Sequence, residues 1–176
     1  PYFASIAQFD ETVGKLREFL TKVGALDNTM EVFAVDNGWS PSQKPQKSRP
    51  VEFAPAKNSK RAPFDLGLRT PILMNLPGAG KTEISTFTAP VNTIDLMPTI
   101  LAVAGPNRWT DVPWLPGENL VNTLNGSDEP NPNRAVFGAI YPGDASSLGH
   151  PERDVAYRWV RKKEYKLIVP QGKAPW

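Results

Sequence analysis

The apolar run Val32-Phe33-Ala34-Val35 stops at Asp36-Asn37-Gly38, which puts a carboxylate and a carboxamide at the end of an expected buried strand. Both are hard oxygen donors of the kind that calcium takes, and open α/β sheets bind ligands beyond the carboxyl ends of their strands. Consecutive strand residues face opposite ways. Asp36 and Asn37 can therefore share one cation only where the strand has ended and the backbone turns, and Gly38 permits that turn. The same tripeptide is also ordinary turn chemistry, in which the side chains serve only their own backbone. Spacing alone leaves both readings open.

Lys60 comes next, in Lys60-Arg61-Ala62-Pro63-Phe64-Asp65-Leu66-Gly67-Leu68-Arg69-Thr70-Pro71. A compact ammonium delivered by a loop suits an oxyanion such as sulfate or phosphate; a solvated surface lysine is the competing reading. Arg69 is expected to pair with an internal carboxylate. Asn75-Leu76-Pro77-Gly78-Ala79-Gly80-Lys81-Thr82 comes close to a phosphate-binding loop, with Asn75 in place of its first glycine. Such a loop needs a helix directly after it, whereas Glu83-Ile84-Ser85-Thr86-Phe87-Thr88-Ala89-Pro90 is β-branched and closed by proline. Nucleotide binding is kept only as an alternative. The single histidine, His150, has no second ligand near it and reads as a surface residue or a substrate contact. Ser48 has no supporting base in its segment and does not read as a nucleophile.

The elements that must position these groups follow from length and pattern. The 176 residues fit one domain or part of a larger one, and a chain of that size buries roughly 70% of its unfolded surface. Charged residues are 22% with a formal net charge of +2, a balance that argues against nucleic acid or an anionic membrane as the main partner. With no cysteine there is no disulfide, thiolate ligand or cysteine nucleophile, and one histidine argues against zinc. No run reaches the roughly 18 apolar residues of a membrane span, and no signal-peptide pattern opens the chain. The chain starts at Pro1 and its first methionine is Met30, so we expect a processed, excised or proteolysed piece.

Ile6, Phe9, Val13, Leu16, Leu20 and Val23 recur at helical spacing and predict an amphipathic helix over 2–23, ended by Gly24. A strand over 29–35 follows, making half of a βαβ unit. Residues 40–62 read as an exposed loop. A short buried strand is expected at 71–74, before a turn through Pro77 and Gly78. Residues 95–105 read as a helix with Pro98 in its first turn and Gly105 just past its end. After a loop-like stretch over 106–133, strands over 134–141, 155–161 and 164–169 are expected, the last two flanking Lys162-Lys163 as a hairpin. The fold class is α/β, in two parts. Residues 1–105 carry the metal-binding strand end in a mixed sheet with helices, and 106–176 form a small antiparallel sheet packed on a helix.

Order and spacing add a resemblance. Tyr2-Phe3-Ala4-Ser5-Ile6-Ala7 with Asp10 and Val13-Gly14, then Asp27-Asn28-Thr29 and Val32 to Gly38, are followed by Lys60, Phe64 to Pro71, Pro77-Gly78 and Ala89-Pro90-Val91. Asp95-Leu96-Met97-Pro98-Thr99-Ile100-Leu101, Ala104-Gly105, Arg158-Trp159-Val160-Arg161 and Tyr165-Lys166-Leu167-Ile168 continue the series. Together they resemble the C-terminal part of the type I sulfatases, members of the alkaline phosphatase superfamily. The resemblance implies that Asp36 and Asn37 are calcium ligands, that Lys60 contacts the sulfate, and that Pro77-Gly78 is a surface turn. It implies a sulfatase-like, alkaline-phosphatase-like fold and hydrolysis of a sulfuric ester by attack of hydrated formylglycine on sulfur. It also implies Ca2+ as cofactor, a sulfated small molecule or carbohydrate as substrate, and a periplasmic or secreted location. The chain departs from the family in two ways. Leu66 stands where a first glycine is usual, and the nucleophile signature of cysteine or serine followed by x-Pro-x-Arg is missing, so formylglycine is expected in an N-terminal part and the fragment alone is expected to be inactive. A phosphonate or phosphodiester hydrolase of the same superfamily, and a non-catalytic module that keeps the fold, remain alternatives.

Overall fold

The computed structural model describes residues 2–38, 59–78, 86–105, 114–129 and 131–172. Helix α1 (Tyr2–Lys22) follows the apolar period and ends where Gly24 takes φ +70°, the left-handed conformation that a glycine adopts without steric cost. Strand β1 (Glu31–Ala34) pairs antiparallel with β2 (Ile72–Asn75), Glu31 opposite Asn75 and Ala34 opposite Ile72. Phe9 of α1 lies on Phe33 of β1, ring centroids 5.8 Å apart. Arg17 pairs with Glu31, and Asn75 donates to the same carboxylate at 3.1 Å. The hydrogen bond from Asn75, opposed by desolvation and joined by Arg17, holds the Glu31 carboxyl below its ordinary range.

Both strands were expected to be buried, and neither is. Val32, Phe33 and Leu73 keep 36%, 37% and 62% of their surface exposed. Among the described residues β1 has one strand partner, which is antiparallel, so the half βαβ unit is not completed here. A two-stranded ribbon with one helix against it cannot close both of its faces.

Two short helices fall in stretches with no apolar period long enough to announce them: α2 (Asp65–Leu68) and α4 (Val121–Leu124). Helix α3 (Leu96–Ala104) follows a 3-10 turn at Thr93–Asp95, and Pro98 occupies its first turn as expected. Strands β3 (Ala135–Ile140), β4 (Tyr157–Lys162) and β5 (Tyr165–Pro170) form an antiparallel sheet with β4 in the middle. The hairpin turn is one residue later than expected. Lys162 pairs with Tyr165, so Lys163 and Glu164 make the turn, and Lys163 takes φ +54°, as a two-residue hairpin requires of its first central residue.

Among the described residues the buried aliphatic side chains are Ala62, Val136, Ile140, Val155 and Ile168, so four of the five lie on or beside the β3–β5 sheet. That sheet is tied to α3 by a buried ion pair. Arg134 grips Asp95 with both terminal nitrogens, at 2.6 and 2.5 Å, and its Nε reaches Glu118 at 2.9 Å. Asp95 is fully buried and also accepts the backbone N–H groups of Asn92 at 2.7 Å and Glu118 at 2.9 Å. The hydroxyl of buried Thr99 donates to the Asp95 carbonyl at 2.6 Å and accepts the Leu120 N–H at 3.0 Å. A buried charge is tolerated only with such complete pairing. The hydrogen bonds to Asp95 raise the Arg134 pKa above its ordinary value. No described helix is long and apolar enough to cross a membrane.

Candidate active-site cleft

Beyond β1 the backbone is held from the opposite segment. Thr70 Oγ1 donates to the Val35 carbonyl at 2.8 Å, just before the chain bends through Asp36, Asn37 and Gly38. The Gly38 N–H then donates to the Gly67 carbonyl of α2 at 3.0 Å. A Cβ at position 38 would lie 2.2 Å from the Leu66 carbonyl oxygen, and one at position 67 would lie 2.2 Å from that of Ser59. Neither position has room for a side chain. The turn at 36–38, the helix α2 and the turn at 59–62 are therefore stacked backbone against backbone, with Gly67 in the middle. It is this stack that brings Asp36, Asn37 and Lys60 to the wall of one cleft, about 1010 Å³ in volume. Leu66 does no harm to it: the atom that meets Gly38 is its carbonyl oxygen, and its side chain is exposed.

Asn37 Nδ2 donates to the Asp36 carbonyl at 3.0 Å. Its amide oxygen has no hydrogen-bond partner among the described residues, and Asp36 is exposed beside it. Lys60 is exposed and makes no ion pair among the described residues, and the next residue, Arg61, takes φ +71°. These residues fit part of a calcium shell. They offer hard oxygens with no nitrogen or sulfur ligand, and no group of three or more His, Cys, Asp or Glu able to hold a metal occurs among the described residues. Calcium takes roughly six to eight oxygens, so Asp36 and Asn37 would be contributors to a shell and not the whole of it.

The far wall of the cleft is the inner face of the C-terminal sheet, where Val136, Trp159, Arg161 and Lys166 line it. Arg161 and Lys166 are directly opposed in the register, a like-charge juxtaposition that costs stability unless relieved. Asp65 relieves it, accepting from Lys166 Nζ at 2.8 Å and Arg161 Nη1 at 3.3 Å. The Lys166 hydrogen bond, opposed by desolvation and assisted by the charges of Lys166, Arg161 and Arg69, keeps the Asp65 carboxyl below its usual range. Asp65 thus fastens the sheet to the same short helix whose Gly67 supports the Asp36 turn. Sequence reasoning missed this residue. Its partners lie 96 and 101 residues away, and no local pattern connects them.

Arg69 lines the cleft but forms no ion pair among the described residues, so the pairing expected of it is replaced by a longer-range effect on Asp65. His150 lies outside the cleft, half exposed, with Nδ1 3.1 Å from Glu152 Oε1. Ser48, Lys81 and Thr82 fall outside the described residues.

Comparison with known proteins decides the lineage of this cleft. The family model described as "Sulfatase" matches residues 1–106, a stretch that includes Asp36, Asn37 and Lys60. The chain belongs to the sulfatase family. It is 27% identical over 93% of its length to an ulvan-active sulfatase of Formosa agariphila, covering 29% of that relative. It is 30% identical over 95% of its length to an N-acetylglucosamine-6-O-sulfatase of Bacteroides thetaiotaomicron, covering 27% of it. A choline-sulfatase of Rhizobium meliloti is 30% identical over 78% of the chain, which covers 24% of that protein. The chain therefore spans between 24% and 29% of the length of these sulfatases. Its helices and two small antiparallel sheets are those of an α/β sulfatase segment. The family match also runs through the glycine-rich stretch 75–82.

Proposed function

We propose that this chain is the C-terminal portion of a sulfuric ester hydrolase and supplies one side of its active site. Asp36 and Asn37 contribute oxygens to a bound Ca2+, and Lys60 holds an oxygen of the sulfate. The observation that carries this reading is the Gly38–Gly67–Ser59 stack, which brings Asp36 and Asn37 of one turn and Lys60 of another to the wall of one cleft. Calcium, when bound, would neutralise negative charge on the sulfate. This chain's own residues orient the ester and offset its charge, the ammonium of Lys60 acting from a turn whose backbone is held against α2. The nucleophile is expected upstream of residue 1, as formylglycine. The relatives' names point to sulfated substrates, among them ulvan, N-acetylglucosamine 6-sulfate groups and choline sulfate, which supports a sulfated carbohydrate or small molecule here.

Full-length protein carrying Asp36→Ala should lose bound calcium, read by metal analysis, and lose hydrolysis of 4-nitrophenyl sulfate by at least about 100-fold. The isolated chain should not hydrolyse that ester at all. Unchanged calcium content and rate in the variant would show a fold retained without this chemistry. Preference of the full-length enzyme for a phosphonate or phosphodiester over every sulfate ester would move it to a sister activity.

A further inference from the structure

Charge in the cleft exceeds what one sulfate ester needs. Lys60, Arg61, Arg69, Arg161, Lys163 and Lys166 line it, against the carboxylates of Asp36 and Asp65, a formal surplus of four positive charges among the described residues. A sulfate monoester carries a single negative charge, and Lys60 is already assigned to it. Asp36, if bound to calcium, leaves the surplus larger still.

Three of the six, Arg161, Lys163 and Lys166, lie on the wall formed by the C-terminal sheet and its hairpin turn. Lys166 is committed: its ammonium bonds Asp65 at 2.8 Å and stands 5.4 Å from the centre of the Trp159 ring. Arg161 is not. Its Nε bonds the Lys163 carbonyl at 3.2 Å and Nη1 reaches Asp65 at 3.3 Å, which leaves Nη2 without a partner among the described residues. Those two bonds hold the guanidinium plane in place, so the free edge is preorganised for a planar or tetrahedral oxyanion. Lys163 sits at the first turn position of the β4–β5 hairpin, exposed and without an ion pair among the described residues.

The geometry points to a second anion subsite in this cleft, formed by Arg161 and Lys163, that receives a carboxylate or a further sulfate ester of a sulfated carbohydrate. The inference rests on the sulfatase reading and narrows it, from sulfated substrates in general to those bearing at least two anionic groups. Asp65 is its positioning residue, fixing Arg161 and keeping Lys166 from competing for the ligand.

The test compares full-length enzyme with Arg161→Gln and Lys163→Gln on three substrates: 4-nitrophenyl sulfate, a sulfated disaccharide with a neighbouring uronate, and a disaccharide with two sulfates. Each loss of a charged hydrogen bond should lower kcat/KM on a dianionic disaccharide, relative to 4-nitrophenyl sulfate, by about 10-fold and through KM. A loss confined to the uronate compound assigns the subsite to a carboxylate, and one confined to the disulfated compound assigns it to sulfate. Equal losses on all three substrates, or none in the Lys163 variant, which breaks no ion pair, would overturn the subsite. Binding of the same disaccharides by titration calorimetry is read separately from turnover. Wild-type protein that hydrolyses no sulfate ester would sink the hydrolase reading, while the affinity ratio between wild type and variants would still decide the subsite.

Discussion

The two halves of the molecule hold themselves together differently. In the N-terminal half, α1 has no buried residue, and Phe3, Ile6, Phe9, Leu16, Phe19 and Val23 each keep about half or more of their surface exposed. In the C-terminal half, Val136, Ile140, Val155 and Ile168 are buried, and Asp95 and Thr99 are sealed beneath a fully paired arginine. Both halves are amphipathic by pattern, but among the described residues the first covers its apolar face only in part, through contacts such as Phe9 on Phe33. Amphipathic period therefore says which face wants cover, and it does not say what provides the cover. The cleft lies where the two halves meet: α2 is stacked on the Asp36 turn through Gly67 and fastened to the C-terminal sheet through Asp65.

The largest expected contrast comes from removing one interaction in each half. Arg134→Ala leaves the buried Asp95 carboxylate without its cation and should cost roughly 3–5 kcal/mol in urea unfolding. Leu16→Ala, on the exposed face of α1, should change stability by no more than about 0.5 kcal/mol. Equal effects would mean that α1 is covered after all. At the junction, Gly67→Ala forces a methyl against the Ser59 carbonyl and should cost about 1–3 kcal/mol. Since the same stack supports Asp36, calcium affinity of the full-length protein should fall with it. A stable Gly67→Ala variant with intact calcium binding would break the link between stack and site.

The smallest effect is an acid one. Asp65 has its carboxyl pKa depressed in the folded state, so the stability it confers is complete above the unfolded value of about 4 and is lost as pH falls through the lower folded value. Asp65 is about half exposed, so solvent screens much of the attraction. The expected result is a shallow loss of stability below about pH 4 that Asp65→Asn abolishes. A stability profile in that range unchanged by Asp65→Asn would show that the Arg161 and Lys166 bridges contribute nothing to joining sheet and turn.

Much of the architecture was legible from pattern. The three-and-four period drew α1, proline and glycine placed α3, and apolar and β-branched runs located the five strands of the described residues to within a few residues. The errors have physical causes. The strand at 31–34 reads as buried because Val32, Phe33 and Ala34 are apolar, but burial depends on partners that composition does not name. Short helices such as α2 carry no period, and the hairpin slipped by one residue because Lys162-Lys163-Glu164 offers no Asn-Gly or Asp-Gly signal to fix the turn. Asp95 read as a helix start; that it is also the buried centre of a network depends on Arg134, 39 residues on.

What the sequence determined alone was local chemistry: an acid and an amide at a strand end, a lysine in a loop, a glycine where the chain must turn, and enough ordered motifs to resemble one family. What only the tertiary structure decided was convergence. Gly67 is a small residue in any sequence reading, yet it is the point where three backbones approach too closely for a side chain, and Asp65 is a surface acid until two cations from a distant hairpin close on it. Contacts between segments far apart in the chain are set by packing and by charge in three dimensions, which no local pattern encodes.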